Sequence, residues 1–136
     1  MNKVLGIDYG ERRIGIAISD SLKIIATPLT VIDRKKQNYL ETIQQIIIEN
    51  NVELIIVGLP ITLKGNQSIQ TNKTNIFINE LLKKIDIPIQ TIDERLTSQE
   101  AEKILIQKGI KTGHNKSKID QLSAIIILQE YLDTKI

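Results

Sequence analysis

Val4-Leu5-Gly6-Ile7-Asp8-Tyr9-Gly10-Glu11-Arg12-Arg13-Ile14-Gly15-Ile16-Ala17-Ile18-Ser19 is the stretch from which the rest of the chain can be read. A short apolar run, Val4 to Tyr9, is interrupted by Gly6 and carries Asp8 near its end. Gly10 to Arg13 then turn the chain into a second run, where large and small residues alternate with period two. That is the strand repeat, and a short glycine-containing turn between two such runs makes a hairpin. Ile25 to Ile32 adds a third run. Its Pro28 has no amide hydrogen to give a ladder, so this strand belongs at a sheet edge.

Beyond it the period changes. Leu40, Ile43 and Ile47 recur at helical spacing between Asn38 and Asn50. Glu53 to Gly58 reads as a buried strand followed by Pro60. A polar loop, Lys64 to Gln67, leads to a helix over 72–84 that carries Ile76, Phe77, Leu81 and Leu82. Ile87 to Ile92 is a fifth strand with Pro88 at its mouth. Thr97 and Glu100 form a capping box that opens a helix, and Gly109 stops it. A last helix spans about Ser117 to Leu132, with Ala124 to Leu128 apolar on nearly every face, so it must be well buried. The order βββαβαβαα describes a mixed α/β sheet: a hairpin-joined set of three strands, then two parallel strands added through crossover helices.

The chain has 136 residues, 18 Lys+Arg against 16 Asp+Glu, one His and no Cys. That length suits one domain, 1–136, with a radius of gyration of about 14 Å, burying roughly two-thirds of its unfolded surface. The absence of Cys excludes disulfide frameworks, thiol nucleophiles and thiolate zinc sites. A single His excludes a histidine metal cage and most Ser-His-Asp geometries, unless His114 is itself the base. Aromatics are 3%, too few for a surface that stacks many bases. Ile supplies 29 residues and Lys outnumbers Arg 14 to 4, a compositional skew that weakens Lys richness as a sign of nucleic-acid binding. No segment has the ~18 uncharged apolar residues of a membrane span, and Met1 to Arg13 holds no apolar h-region. The expectation is a soluble, cytoplasmic protein that does not engage membranes.

The chemistry-bearing residues are carboxylates at strand ends. Asp8 closes the first strand, Asp93 and Glu94 follow the fifth, and Asp120 stands in the first turn of the last helix. Open α/β sheets gather ligands outside the carboxyl ends of their parallel strands. With the fourth strand between the first and fifth, those two ends lie about 9.6 Å apart. Side chains from each then converge on metals about 4 Å apart, and Gly58 leaves the space between them open. Oxygen ligands without Cys or His select magnesium or manganese. Each acid also has a purely structural use. Asp120 completes a capping box with Ser117, and Asp93 or Glu94 can pair with Arg95. Asp8 is hardest to assign that way, because a charge inside an apolar strand is costly unless paired or liganded.

Gly10 to Ala17 has the glycine spacing of a P-loop. It lacks the Lys-Ser/Thr and lies between two strands where that motif needs a following helix, so it is not one. Gly10 still allows backbone amides to approach a phosphate. From Lys103 to Lys118 there are five Lys and no acid. The Gly109–Lys116 loop, with His114, leads directly to Asp120, an arrangement that suits a polyanionic substrate.

Taken together, Asp8-Tyr9-Gly10, Arg13 to Ala17 with Ser19-Asp20, Gly58-Leu59-Pro60, Asp93 to Thr97, and Asp120 with Ala124 and Ile127-Leu128-Gln129 resemble the YqgF/RuvX family. These are Holliday-junction-resolvase-like nucleases of the ribonuclease H-like superfamily, and the likeness covers essentially the whole chain. It implies an RNase H-like five-stranded sheet of order 3-2-1-4-5 flanked by helices. It implies that Asp8, Glu94 and Asp120 form an acidic triad, catalytic and metal-binding, for two Mg²⁺ or Mn²⁺ ions. The implied activity is metal-dependent endonucleolytic hydrolysis of phosphodiester bonds in 5′-end processing of precursor 16S rRNA, with branched DNA as the other substrate. Gly10, Arg13, Arg95, Lys111, Lys116 and Lys118 are the expected substrate-binding residues. The protein would act as a monomer or homodimer. Ser123 departs from the Ala of many relatives, and Lys64 from a position often acidic or amide. Two other readings remain open: a non-catalytic nucleic-acid-binding assembly factor, and a phosphotransferase, whose Asp-x-Gly hairpin is related but whose fold needs two such domains.

Overall fold

β1 (Lys3–Tyr9) and β2 (Arg13–Ser19) form the expected antiparallel hairpin, with Leu5 opposite Ile18 and Asp8 opposite Gly15. The structure is a computed structural model that describes residues 2–61, 67–94, 103, 107 and 116–134. The large–small alternation of β2 has a packing cause. Ile14, Ile16 and Ile18 enter the core under one face of the sheet, while Gly15 and Ala17 lie on the other face, against a helix.

β3 (Ala26–Asp33) pairs antiparallel with β2 and is an edge strand, with Pro28 opposite Ala17 at a break in register. α1 (Tyr39–Asn50) opens at Asn38, whose side chain accepts from the Glu41 amide. It ends at Asn51, which adopts a left-handed φ of 52° and turns the chain at once into the next strand. β4 (Val52–Leu59) runs parallel to β1. α2 (Ile69–Leu82) crosses over to β5 (Ile89–Asp93), which is parallel to β4. α3 (Lys116–Thr134) completes the described elements. The sheet order is β3-β2-β1-β4-β5, as expected.

Most element ends fall within one or two residues of the sequence reading, and the departures with a clear local cause are at α2 and β5. α2 starts at Ile69, three residues before Asn72, because Ser68 and Thr71 cap each other's backbone amides, a threonine doing what Glu or Gln usually does. β5 extends to Asp93, which pairs with Leu59, and begins after Pro88. The helix expected between Thr97 and Gly109 lies outside the described residues except for Lys103 and Gln107, which are helical.

The sheet separates two apolar layers. On one face Leu5, Ile7, Ile55 and Val57 pack with Ile43 of α1 and Phe77 and Leu81 of α2. On the other, Val4, Ala17 and Ile56 pack with Ala124, Ile127, Leu128 and Leu132 of α3. α3 lies unusually near the strands, since a Cβ at Gly6 would stand 2.6 Å from Leu128 Cβ. Its buried face is as expected, although Ile125 and Ile126 are only half-buried. The buried hydroxyl of Ser123 has no hydrogen-bond partner among the described residues. Among those residues, no helix is long and apolar enough to cross a membrane.

Candidate active site

Asp8 follows Val4 and Gly6 on the α3 side of β1, and its cross-strand partner is Gly15. A Cβ at Gly15 would collide with the carbonyl oxygen of Asp120. The glycine therefore lets the first turns of α3 rest directly on the hairpin, which brings Asp120 beside Asp8. Glu94 arrives from the other direction. Its amide donates to Leu59 O at 3.2 Å, one residue past the β4–β5 ladder. Its carboxyl lies over Gly58, where a Cβ would be 2.6 Å from Glu94 Oε2. Gly58 thus clears the end of β4 so that a side chain from β5 can reach toward β1.

Asp8 and Glu94 are half-buried and hydrogen-bonded to each other. Burial raises Asp8 to about 7, with the charge of Asp120 adding to the rise and the hydrogen bond from Glu94 opposing it. Glu94 rises to about 9, first through burial, then through the charge of Asp8, the proton it donates to Asp8, and the charge of Asp93. Both shifts favour the protonated forms, and within the pair Glu94 donates its proton to Asp8. Asp120 is oriented differently, since Arg13 Nε donates to its Oδ2 at 2.7 Å, with each side chain about a quarter exposed.

The structure thus brings Asp8 and Glu94 into contact and places Asp120 within electrostatic reach of Asp8. Among the described residues, no three His, Cys, Asp or Glu side chains are gathered as a metal cage. The donor set nevertheless fits a hard divalent cation. Two desolvated carboxyls that share a proton offer all-oxygen ligation, and a cation that displaces that proton relieves their repulsion.

Gly10 sits in the β1–β2 turn, where its amide donates to Arg13 O at 3.0 Å and a Cβ would lie 2.5 Å from that oxygen. The closed turn leaves no room for a side chain at this position. Lys116 opens α3, and Lys118 is exposed in its first turn. Arg95, Lys111 and His114 lie outside the described residues.

Arg34, directly after β3, is absent from the sequence-derived site. Its guanidinium carbon lies 4.9 Å from the ring centroids of both Tyr9 and Tyr39, and Tyr9 stacks on Phe77 at 4.4 Å. Glu11, in the hairpin turn, pairs with Lys73 of α2. The sequence offered only its residue type, one of four arginines among 14 lysines, which does not by itself single out this position.

The profile of the family described as "RuvX: Holliday junction resolvase" matches residues 2–134. The chain is 42% identical over 132 residues to a protein of Acaryochloris marina named "Putative pre-16S rRNA nuclease", covering 96% of this chain and 92% of that one. A protein of the same name from Desulforamulus reducens is 42% identical over 133 residues, covering 97% of each chain. Among solved structures, Thermus thermophilus RuvC in complex with Holliday junction substrate aligns with a TM-score of 0.59. It is 15% identical and covers 97% of this chain and 94% of that one. A second T. thermophilus RuvC structure aligns with a TM-score of 0.56 at 13% identity, covering 96% and 93%. These structural neighbours share the RNase H-like fold.

Proposed function

The chain belongs to the RuvX family, and from that premise we propose that it is a cytoplasmic, divalent-metal-dependent endonuclease acting in 5′-end processing of precursor 16S rRNA. The observation that carries this reading is the Asp8–Glu94 pair at the carboxyl ends of the parallel strands, with Asp120 delivered beside it by α3. Such a set has little structural use of its own. With both pKa values raised, ionising the pair costs the fold stability, and a bound cation would offset that cost.

Asp8, Glu94 and Asp120 would hold the ions, Asp8 from the strand floor and the others from either side. When bound, Mg²⁺ or Mn²⁺ supplies activation of water and charge neutralisation at the leaving 3′ oxygen. The chain's own residues do the positioning. Glu94 would have to release the proton it donates to Asp8 for a cation to be held, so binding would be favoured by rising pH. Arg13 donates to Asp120 and would orient its carboxylate. Arg13, Arg95, Lys111, Lys116 and Lys118 flank the acids in sequence and would neutralise the phosphate backbone, helped by the amide end of α3. Gly10 would let the hairpin turn approach that backbone.

The test is cleavage of single-stranded RNA, a precursor-rRNA 5′ fragment and a four-way DNA junction, with Mn²⁺, Mg²⁺ or chelator, beside Asp8→Asn. The expected result is metal-dependent cutting of the rRNA fragment by the wild-type protein alone. Equal cutting by Asp8→Asn would sink the site assignment. Preference for the four-way junction would favour the second reading, junction resolution, for which the family's own description is the supporting observation.

A further inference from the structure

The hairpin turn that separates Asp8 from Arg13 is received almost entirely by one residue. Arg34 Nη1 donates to Glu11 O at 2.8 Å and to Gly10 O at 3.3 Å, and the Arg34 backbone amide donates to Arg12 O at 2.9 Å. The remaining carbonyl of the turn, Arg13 O, accepts from Gly10. Three successive carbonyls therefore end on Arg34. The guanidinium is itself fixed, flanked by Tyr9 and Tyr39, with Phe77 stacked behind Tyr9. Tyr and Phe number only four in the chain; two of them flank this side chain and a third packs against both. The residue that leaves the turn is Arg13, whose Nε holds Asp120.

We propose that Arg34 is a positioning residue for the candidate active site: it fixes the Gly10–Arg13 turn so that Arg13 orients Asp120 beside Asp8. The assignment rests on the nuclease reading for its consequence in catalysis, but its geometric content does not. Lysine cannot substitute. An ammonium group is a single point donor, and it lacks the flat surface that lies between two rings. Arg34 is separated from the acids by the thickness of the sheet, since Tyr9 points to the α1–α2 side and Asp8 to the α3 side. Its influence passes through the turn.

Arginine Nε–H resonances test this directly, because the chain has four arginines. In the wild-type protein the Arg13 Nε–H signal is expected to be shifted downfield and slow to exchange. Arg34→Ala and Arg34→Lys should both lose that signature. With the precursor-rRNA fragment and Mn²⁺, both should lower kcat roughly 10- to 100-fold, as for other groups that orient metal ligands, while KM changes less than about twofold. Ile43→Val, in the α1 core, serves as a control that lowers Tm without moving the Arg13 signal.

Loss of Tm in the Arg34 variants with an unchanged Arg13 signal would overturn the proposal. A raised KM and flattened salt dependence at unchanged kcat would also overturn it, by making Arg34 a direct substrate contact. Should the wild-type protein cleave nothing, the nuclease reading fails, and the Arg13 resonance still decides whether Arg34 positions it.

Discussion

Asp8 was conspicuous in the sequence because a carboxylate at the end of an apolar strand has no cheap structural explanation, and its surroundings now give that cost a form. Burial raises both carboxyls first; the charge of Asp120 adds to the rise at Asp8 while the hydrogen bond from Glu94 opposes it, and the charge of Asp8 adds to the rise at Glu94. The folded state therefore binds protons that the unfolded state releases above about pH 4. Stability of the metal-free protein should be greatest in acid and fall as pH rises toward about 7 and then about 9, where Asp8 and Glu94 ionise. The loss should be on the order of 1–3 kcal/mol after solvent screening. Urea midpoints in chelator at pH 5, 7 and 9 would show it, and Asp8→Asn should remove the Asp8 part of the slope and lessen the part that Glu94 carries, leaving what burial alone imposes on Glu94. Mn²⁺ should restore stability more at pH 8 than at pH 5, because the ligands must be deprotonated. An identical slope in Asp8→Asn would mean the pair is not the titrating unit. Arg34 was invisible to the same reasoning. Its partners are backbone carbonyls and rings brought together only by folding, and its neighbours Lys35 and Lys36 make the segment look like a solvated basic turn.

Strands and helices were legible wherever a local period or cap carried them. The alternation of Ile with Gly, Ala and Ser in β2 declared a strand, but not why its second face is small. That face is small because α3 lies on it, and the contact places Asp120. Gly15→Ala is expected to push the first turns of α3 away from the hairpin, at about 1–3 kcal/mol of stability. Cleavage should fall further than it does in Gly6→Ala, whose added methyl meets Leu128 two turns along the helix. Equal activity in the two variants at matched Tm would argue that Asp120 does not need this seat. The start of α2 was misplaced for a local reason: Thr71 completes the box with Ser68, and threonine is a weak signal beside the Glu or Gln that such a box usually shows.

For the molecule as a whole, charge is a poor guide. A net charge of +2 in a lysine-rich chain describes no particular surface. The prediction that belongs here concerns binding of a single-stranded RNA. Neutralising Lys111, Lys116 and Lys118 together should flatten the logarithmic salt dependence by about 0.7 per lost phosphate contact. An unchanged slope would place the backbone elsewhere on the protein. The sequence by itself determined the mixed sheet, its strand order once the family likeness was added, the edge position of Pro28, and the acids at strand ends. These are encoded in short-range period, in residues that cannot donate or cannot be buried, and in motif spacing. Only the tertiary structure decided that Glu94 reaches across Gly58 to Asp8, that Arg13 holds Asp120, and that Arg34 gathers the turn between them. Each of those contacts joins residues distant in the chain or on opposite faces of one sheet, and a one-dimensional pattern carries no distance between such residues.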